Sequence, residues 1–206
     1  MRDVTIDAFL TSLAAREPAP GGGASAALHA AQAAALLGMV ARYSTGEKYA
    51  AHAEPIARIT AETDRLRAAA LRSAQDDAEA FTAVTDAYKL PRSSDAEKEK
   101  RSAAIATALE GAADVPARVA ALTTRLVELA EEILPMSNRN VITDIAAAAE
   151  AARAAIATAR VNVEVNLAGI KDESKRDALR AAIADVDAVA SRAERVTSDV
   201  RRQIAG

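Results

Sequence analysis

Residues Ala24–Ala41 read ASAALHAAQAAALLGMVA, and the reading of this stretch decides the fold. It has 18 residues, nearly all apolar or small, and it includes His29 and Gln32. A membrane-spanning helix needs about 20 consecutive apolar residues. Alanine is the strongest helix former but buries little area. A core helix that its neighbours approach closely is therefore the better reading, and no membrane partner is expected. Immediately before it, Pro18-Ala19-Pro20-Gly21-Gly22-Gly23 breaks the chain.

The rest of the chain has the same character. Aromatics make up 2% of its 206 residues: Phe9, Phe81, Tyr43, Tyr49 and Tyr88. A sheet protein normally draws on more aromatic and β-branched residues. The net charge of −3, with both signs interleaved, argues against nucleic acid as a partner. The absence of cysteine excludes disulfides and thiolate chemistry. His29 and His52 are the two histidines, so no metal site is expected. His29 reads as a core or interface residue and His52 as a surface one. The start, Met1-Arg2-Asp3-Val4, lacks the apolar core of a signal peptide, which makes the cytoplasm the expected location.

Apolar spacing follows the helical period almost throughout. It predicts helices over about 3–16, 24–43 and 55–88, and a fourth capped by Asp95. Pro116 reads as the first-turn proline of a fifth helix that stops at Pro135. A sixth opens near Thr143 or Asp144 and continues to Ile170, and a last one runs over about 174–204. The alternation Val161-Asn162-Val163-Glu164-Val165 is too brief for a strand. The expectation is an all-α, multi-helix bundle with long helices over 1–206, a single domain. A thin alanine-rich core also favours burial against a second copy, hence a dimer.

Several residues are of types that carry chemistry. Glycines 21–23 at a helix start let N–H groups approach an anion; a tight interhelical turn is the alternative. Asp76 and Asp77 point about 100° apart and so form no dyad. Asp77 shares its face with Phe81, four residues on. Lys89 closes a helix, as a dipole partner or as a holder of a carboxylate. Asn138, Asn140 and Asp144 crowd one polar loop, where Asp144 also suits a helix cap. Asn162 and Asn166 share a face of an apolar helix, either as an interhelical network or as ligand-binding groups.

In order, Pro18-Ala19-Pro20-Gly21-Gly22-Gly23-Ala24-Ser25, Asp77-Ala78-Glu79-Ala80-Phe81, Tyr88-Lys89-Leu90-Pro91, the Lys98-to-Arg101 charges, Pro116, Asn138…Asp144 and Asn162-Val163-Glu164-Val165-Asn166-Leu167 resemble the formiminotransferase-cyclodeaminase C-terminal family. Ser137 and Thr143 stand where the family usually has Gly and Ser. The resemblance implies a helical homodimer acting on one-carbon tetrahydrofolates without a further cofactor. The activity it implies first is closure of 5-formimino-tetrahydrofolate to 5,10-methenyl-tetrahydrofolate with loss of ammonia. Hydrolysis of the methenyl ring to 10-formyl-tetrahydrofolate is the alternative, and a non-catalytic folate-binding scaffold a third. It further implies Asp144, Asp77 and Lys89 as catalytic groups. Gly21, Gly22, Gly23, Ser25, Asn138, Asn162 and Asn166 would hold the substrate.

Overall fold

The computed structural model describes residues 4–206, all of whose regular structure is helical. The Ala24–Ala41 stretch lies within α2 (Gly22–Tyr43), which packs against α3 (Ala53–Lys89), α4 (Asp95–Ile133) and α5 (Ile142–Leu167). Eight of its alanines, with Gly23 and Gly38, are buried. Their small size sets the close approach: a Cβ at Gly38 would press on the Thr63 hydroxyl of α3 at 3.0 Å. The bulk of the core comes from the neighbours, through Ile56, Ile59, Leu126, Leu129, Ile133, Ile145 and Ile156. Its packing makes α2 a core helix although its length and hydropathy would suit a membrane.

Flanking helices complete the bundle. The amphipathic α1 (Ile6–Ala14) starts at Thr5, which caps the Ala8 N–H, and buries no residue fully. The expected start at Asp3 lies outside the described residues. A 3₁₀ turn, Glu47–His52, leads into α3 and leaves His52 exposed. Ser94, rather than Asp95, caps α4 through a capping box with Glu97. Asp95 occupies the first helical position.

The expected fourth and fifth helices are one. Pro116 sits buried in the interior of α4 and starts nothing. An interior proline costs about 3 kcal/mol and deprives the carbonyl four residues back of its donor. Burial of Ala113, Val115, Val119 and Ala120 on either side offsets that cost. In the other direction, the single last helix expected divides into α6 (Glu173–Ile183) and α7 (Val186–Ala205). Leu179 of α6 packs on a small cluster with Ala113, Val163 and Ile170, whereas α7 joins the main core through Val186, Val189, Ala193, Val196 and Val200. The segment divides at Ala184-Asp185, where Ile183 packs against both clusters.

The α3–α4 hairpin runs beyond the core. Between Ala74 and Ala112 its buried residues are Val84 and Ala87 alone among those described. With 37 and 39 residues, these helices are about 55 and 58 Å long, against about 33 Å for α2. The excess forms a two-helix arm that starts beside the N-terminus of α2.

Candidate functional site

The cap residue of α2 is Gly21, which has no side chain to offer the helix's first N–H groups. The Asp77 carboxylate takes that place from α3, accepting from the Ala24 N–H. It fits because residue 23 is glycine: a Cβ there would fall inside the carboxylate. Burial raises the Asp77 carboxyl above its ordinary value, and the Ala24 hydrogen bond only partly offsets this.

Opposite lie Asn162 and Asn166 of α5. Each Nδ2 donates at 2.8 Å to its own helix one turn back, Asn162 to Thr158 O and Asn166 to Asn162 O. Neither bridges helices, which rules out the interhelical network. Among the described residues neither Oδ1 accepts a bond. Gly21, Gly22, Gly23, Asp77, Asn162 and Asn166 line one pocket of about 200 Å³, with Pro18, Ala19, Phe81, Val84, Ala112 and Val165 as its apolar walls. Asp77 is its one titratable side chain among the described residues. The volume lies below the roughly 300–1,000 Å³ typical of small-molecule sites, so it suits a fused bicycle better than a longer ligand. Phe81 and Val165, 46% and 69% exposed, stand at its rim. The sequence signal for these walls was weak: only Phe81 stood out, through its spacing from Asp77.

The other expected site residues lie elsewhere in the chain. Ser25 lines the apolar groove under α1 together with His29. Lys89 lies twelve residues past Asp77, about 18 Å along α3, and pairs with Asp86 at 2.8 Å. Asn138 lies at the opposite end of α2. Its N–H donates to Ser44 Oγ, its Nδ2 to Tyr43 O, and its Oδ1 accepts from the Asn140 N–H. Asp144 is in the first turn of α5 but makes no cap, since Val141 occupies that position. Eighteen residues of α5, about 27 Å, separate it from Asn162. One chain therefore gathers the glycines, Asp77 and the two amides, and does not bring Ser25, Lys89, Asn138 or Asp144 to them.

Two of the larger cavities, each about 490 Å³, present a different chemistry. In the first, at the α2–α3 turn, Arg42 and Asp64 are spent on each other. The second is the largely apolar groove under α1.

The chain is 38% identical over 171 residues to the methenyltetrahydrofolate cyclohydrolase of Methylorubrum extorquens, covering 82% of both. It is 32% identical over 179 residues to the formimidoyltransferase-cyclodeaminase of Rattus norvegicus, which is 86% of this chain but 33% of that one. The crystal structure of formiminotetrahydrofolate cyclodeaminase from Thermotoga maritima superposes with a TM-score of 0.86 at 29% identity, covering 100% and 99% of the two chains. The formiminotransferase-cyclodeaminase sequence profile matches residues 5–185, and the chain belongs to that family.

Proposed function

We propose that this protein hydrolyses 5,10-methenyl-tetrahydrofolate to 10-formyl-tetrahydrofolate. The observation that carries the reading is the half-buried Asp77 carboxylate, alone among titratable groups in a pocket faced by two free amide oxygens. The likeness to the Methylorubrum cyclohydrolase, 38% identical over 82% of both chains, favours hydrolysis over cyclodeamination.

The substrate's one-carbon unit is a cationic amidinium between N5 and N10. In this reading ionised Asp77 lies beside that cation and takes a proton from water as the water oxygen bonds to the bridging carbon. The tetrahedral adduct then collapses: the carbon–N5 bond breaks, Asp77 returns its proton to N5, and the adduct's hydroxyl proton leaves to solvent. One proton is released overall, as the loss of the cation requires. The Gly22 and Gly23 N–H groups, unspent at the helix start, suit an oxygen gaining negative charge. Asn162 and Asn166 accept from the pterin's ring N–H and amino groups. No cofactor beyond the folate substrate enters this scheme.

Cyclodeamination is the second reading, favoured by the likeness to the Thermotoga cyclodeaminase. With the formimino group entering as its protonated amidinium, the same carboxylate would take the N10 proton as N10 closes on the formimino carbon and pass it to the amino group, which leaves as ammonia while the cationic methenyl bridge forms. Loss of methenyl near-ultraviolet absorbance above the spontaneous rate tests the first reaction, and ammonia release from 5-formimino-tetrahydrofolate the second. Folate binding with neither activity would leave the scaffold reading.

The assembly we propose is a homodimer in the cytoplasm. Its support is an apolar surface open to solvent in part: Ile6, 79% exposed, and Leu10 on α1, with the partly buried Leu36 and Met39 on α2 beside Ala147 and Ala151 on α5. A monomer at micromolar concentration by sedimentation would overturn it.

A further inference from the structure

The arm carries two sequence features that the pocket leaves unused, Tyr88-Lys89-Leu90-Pro91 and the charges from Lys98 to Arg101. Asp77, Phe81, Val84 and Tyr88 follow the helical spacing i, i+4, i+7, i+11 and so share one face of α3. Asp77, Phe81 and Val84 line the pocket. Tyr88 continues the same stripe outward, about 16 Å from Asp77 along the axis. It is 52% exposed, and it does not stand alone. Arg101 reaches over from α4, its guanidinium centre 5.5 Å from the Tyr88 ring centroid. Arg101 Nε and Nη2 donate to the Tyr88 carbonyl at 3.3 and 3.1 Å. The guanidinium is thus held in place on the stripe with its Nη1 donors unspent.

Its charge is unspent too. Lys89 is paired with Asp86 and Lys98 with Asp95, but Arg101 has no carboxylate partner among the described residues. The Glu97 carboxylate is occupied by the N–H groups of Ser93 and Ser94. Residues 86–101 carry five basic and four acidic side chains in a chain whose net charge is −3. An arginine fixed by a stack and a carbonyl loses little freedom on gripping a carboxylate in its fork.

We propose that Tyr88 and Arg101 form a second subsite, which binds the anionic tail of the substrate bound in the glycine–Asp77 pocket. The inference rests on the folate reading. The pocket holds a fused bicycle and leaves the rest of such a molecule outside. That remainder is an aromatic ring followed by an amide-linked chain of carboxylates. Phe81 lies where the ring emerges, and Arg101 lies where the first carboxylates reach. Arg101 acts as a specificity residue here and takes no part in the chemistry.

The test compares methenyl-tetrahydrofolate bearing one or three glutamates with methenyl-tetrahydropteroate, which bears none. Arg101→Gln should raise KM for the glutamylated forms roughly two- to fivefold, the scale of a solvent-screened ion pair, and leave kcat near wild type. It should leave KM for the pteroate form unchanged, and Arg101→Lys should restore part of the loss. Added salt should weaken the wild type toward Arg101→Gln on the glutamylated substrates only. An Arg101 that only braces the hairpin would shift all three substrates alike, and that result overturns the proposal. So does an unchanged KM for the glutamylated forms in an active enzyme. A wild type that neither binds nor converts any of the three sinks the folate reading itself, and the tail subsite with it.

Discussion

The two ends of the bundle hold the same kinds of residue and use them differently. At the end formed by the start of α5, Asn138 spends its backbone N–H on Ser44, its amide N–H on Tyr43 and its carbonyl oxygen on Asn140. Those bonds pin the loop onto the end of α2. At the end formed by the start of α2, the amides of Asn162 and Asn166 bond, among the described residues, only their own helix and keep their oxygens free. The cap there arrives from another helix, as the Asp77 carboxylate over Gly23. Polar residues in a loop therefore do not mark a site by their number. The site is where hydrogen-bonding capacity remains after the fold has taken its share.

The sharpest break of this comparison is Gly23→Ala. The new methyl group cannot coexist with the Asp77 carboxylate, so the carboxylate must leave its seat. Turnover should fall by on the order of a hundredfold or more, the scale of losing a positioned proton carrier. A Cβ at Gly21 meets nothing within 4 Å, so Gly21→Ala leaves Asp77 seated and should cost about 1 kcal/mol of cap stability at most.

Asp77→Asn comes next. Its side-chain oxygen can still accept from the Ala24 N–H, so the melting temperature should hold while kcat falls by about a hundredfold. The pH profile carries the same signature. Because burial raises the Asp77 carboxyl, the ionised base is lost on acidification at a pH above the ordinary carboxylate value of about 3.9. The acid limb of kcat/KM should lie there and vanish in Asp77→Asn. The raised value also means that Asp77 favours folding below the ordinary pKa and loses that contribution as pH rises through the raised one. Glu62 and Glu131 work in the opposite sense. Their hydrogen-bonded partners Arg125 and Arg192 lower them, so their support is present above the ordinary value and lost as pH falls through the lowered one.

At the other end the effects should be small and structural. Asn138→Ala should cost about 1–2 kcal/mol in a denaturant titration and leave kcat alone. Asp144→Asn should stay within about threefold of wild-type turnover. A hundredfold loss would instead mean that a second copy brings its Asp144 to the pocket, and the contrast between the ends would fail.

Much of this was legible in the residues. Helical period gave the all-α architecture, and the spacing of Asp77 from Phe81 and of Asn162 from Asn166 marked faces that line the pocket. Depth along the helices was not legible. Residues close in character, such as Asp144 and Asn162, lie on one helix of 26 residues and still stand about 27 Å apart. Pro116 misled because a first-turn proline and a buried interior one look alike locally. Only burial within the bundle distinguishes them. The break at Ala184-Asp185 carries no Gly or Pro, and local sequence does not announce it.

Pro116 gives α4 an uneven resistance to opening. On its C-terminal side the helix lies in the main core, and on its N-terminal side it soon leaves for the arm. At the boundary the ladder lacks one rung, the bond that Ala112 O would receive from residue 116. Amide hydrogens of residues 119–133 should therefore exchange with deuterated solvent only through global unfolding. Those of 98–111 should exchange by local fraying orders of magnitude sooner, within one unbroken helix.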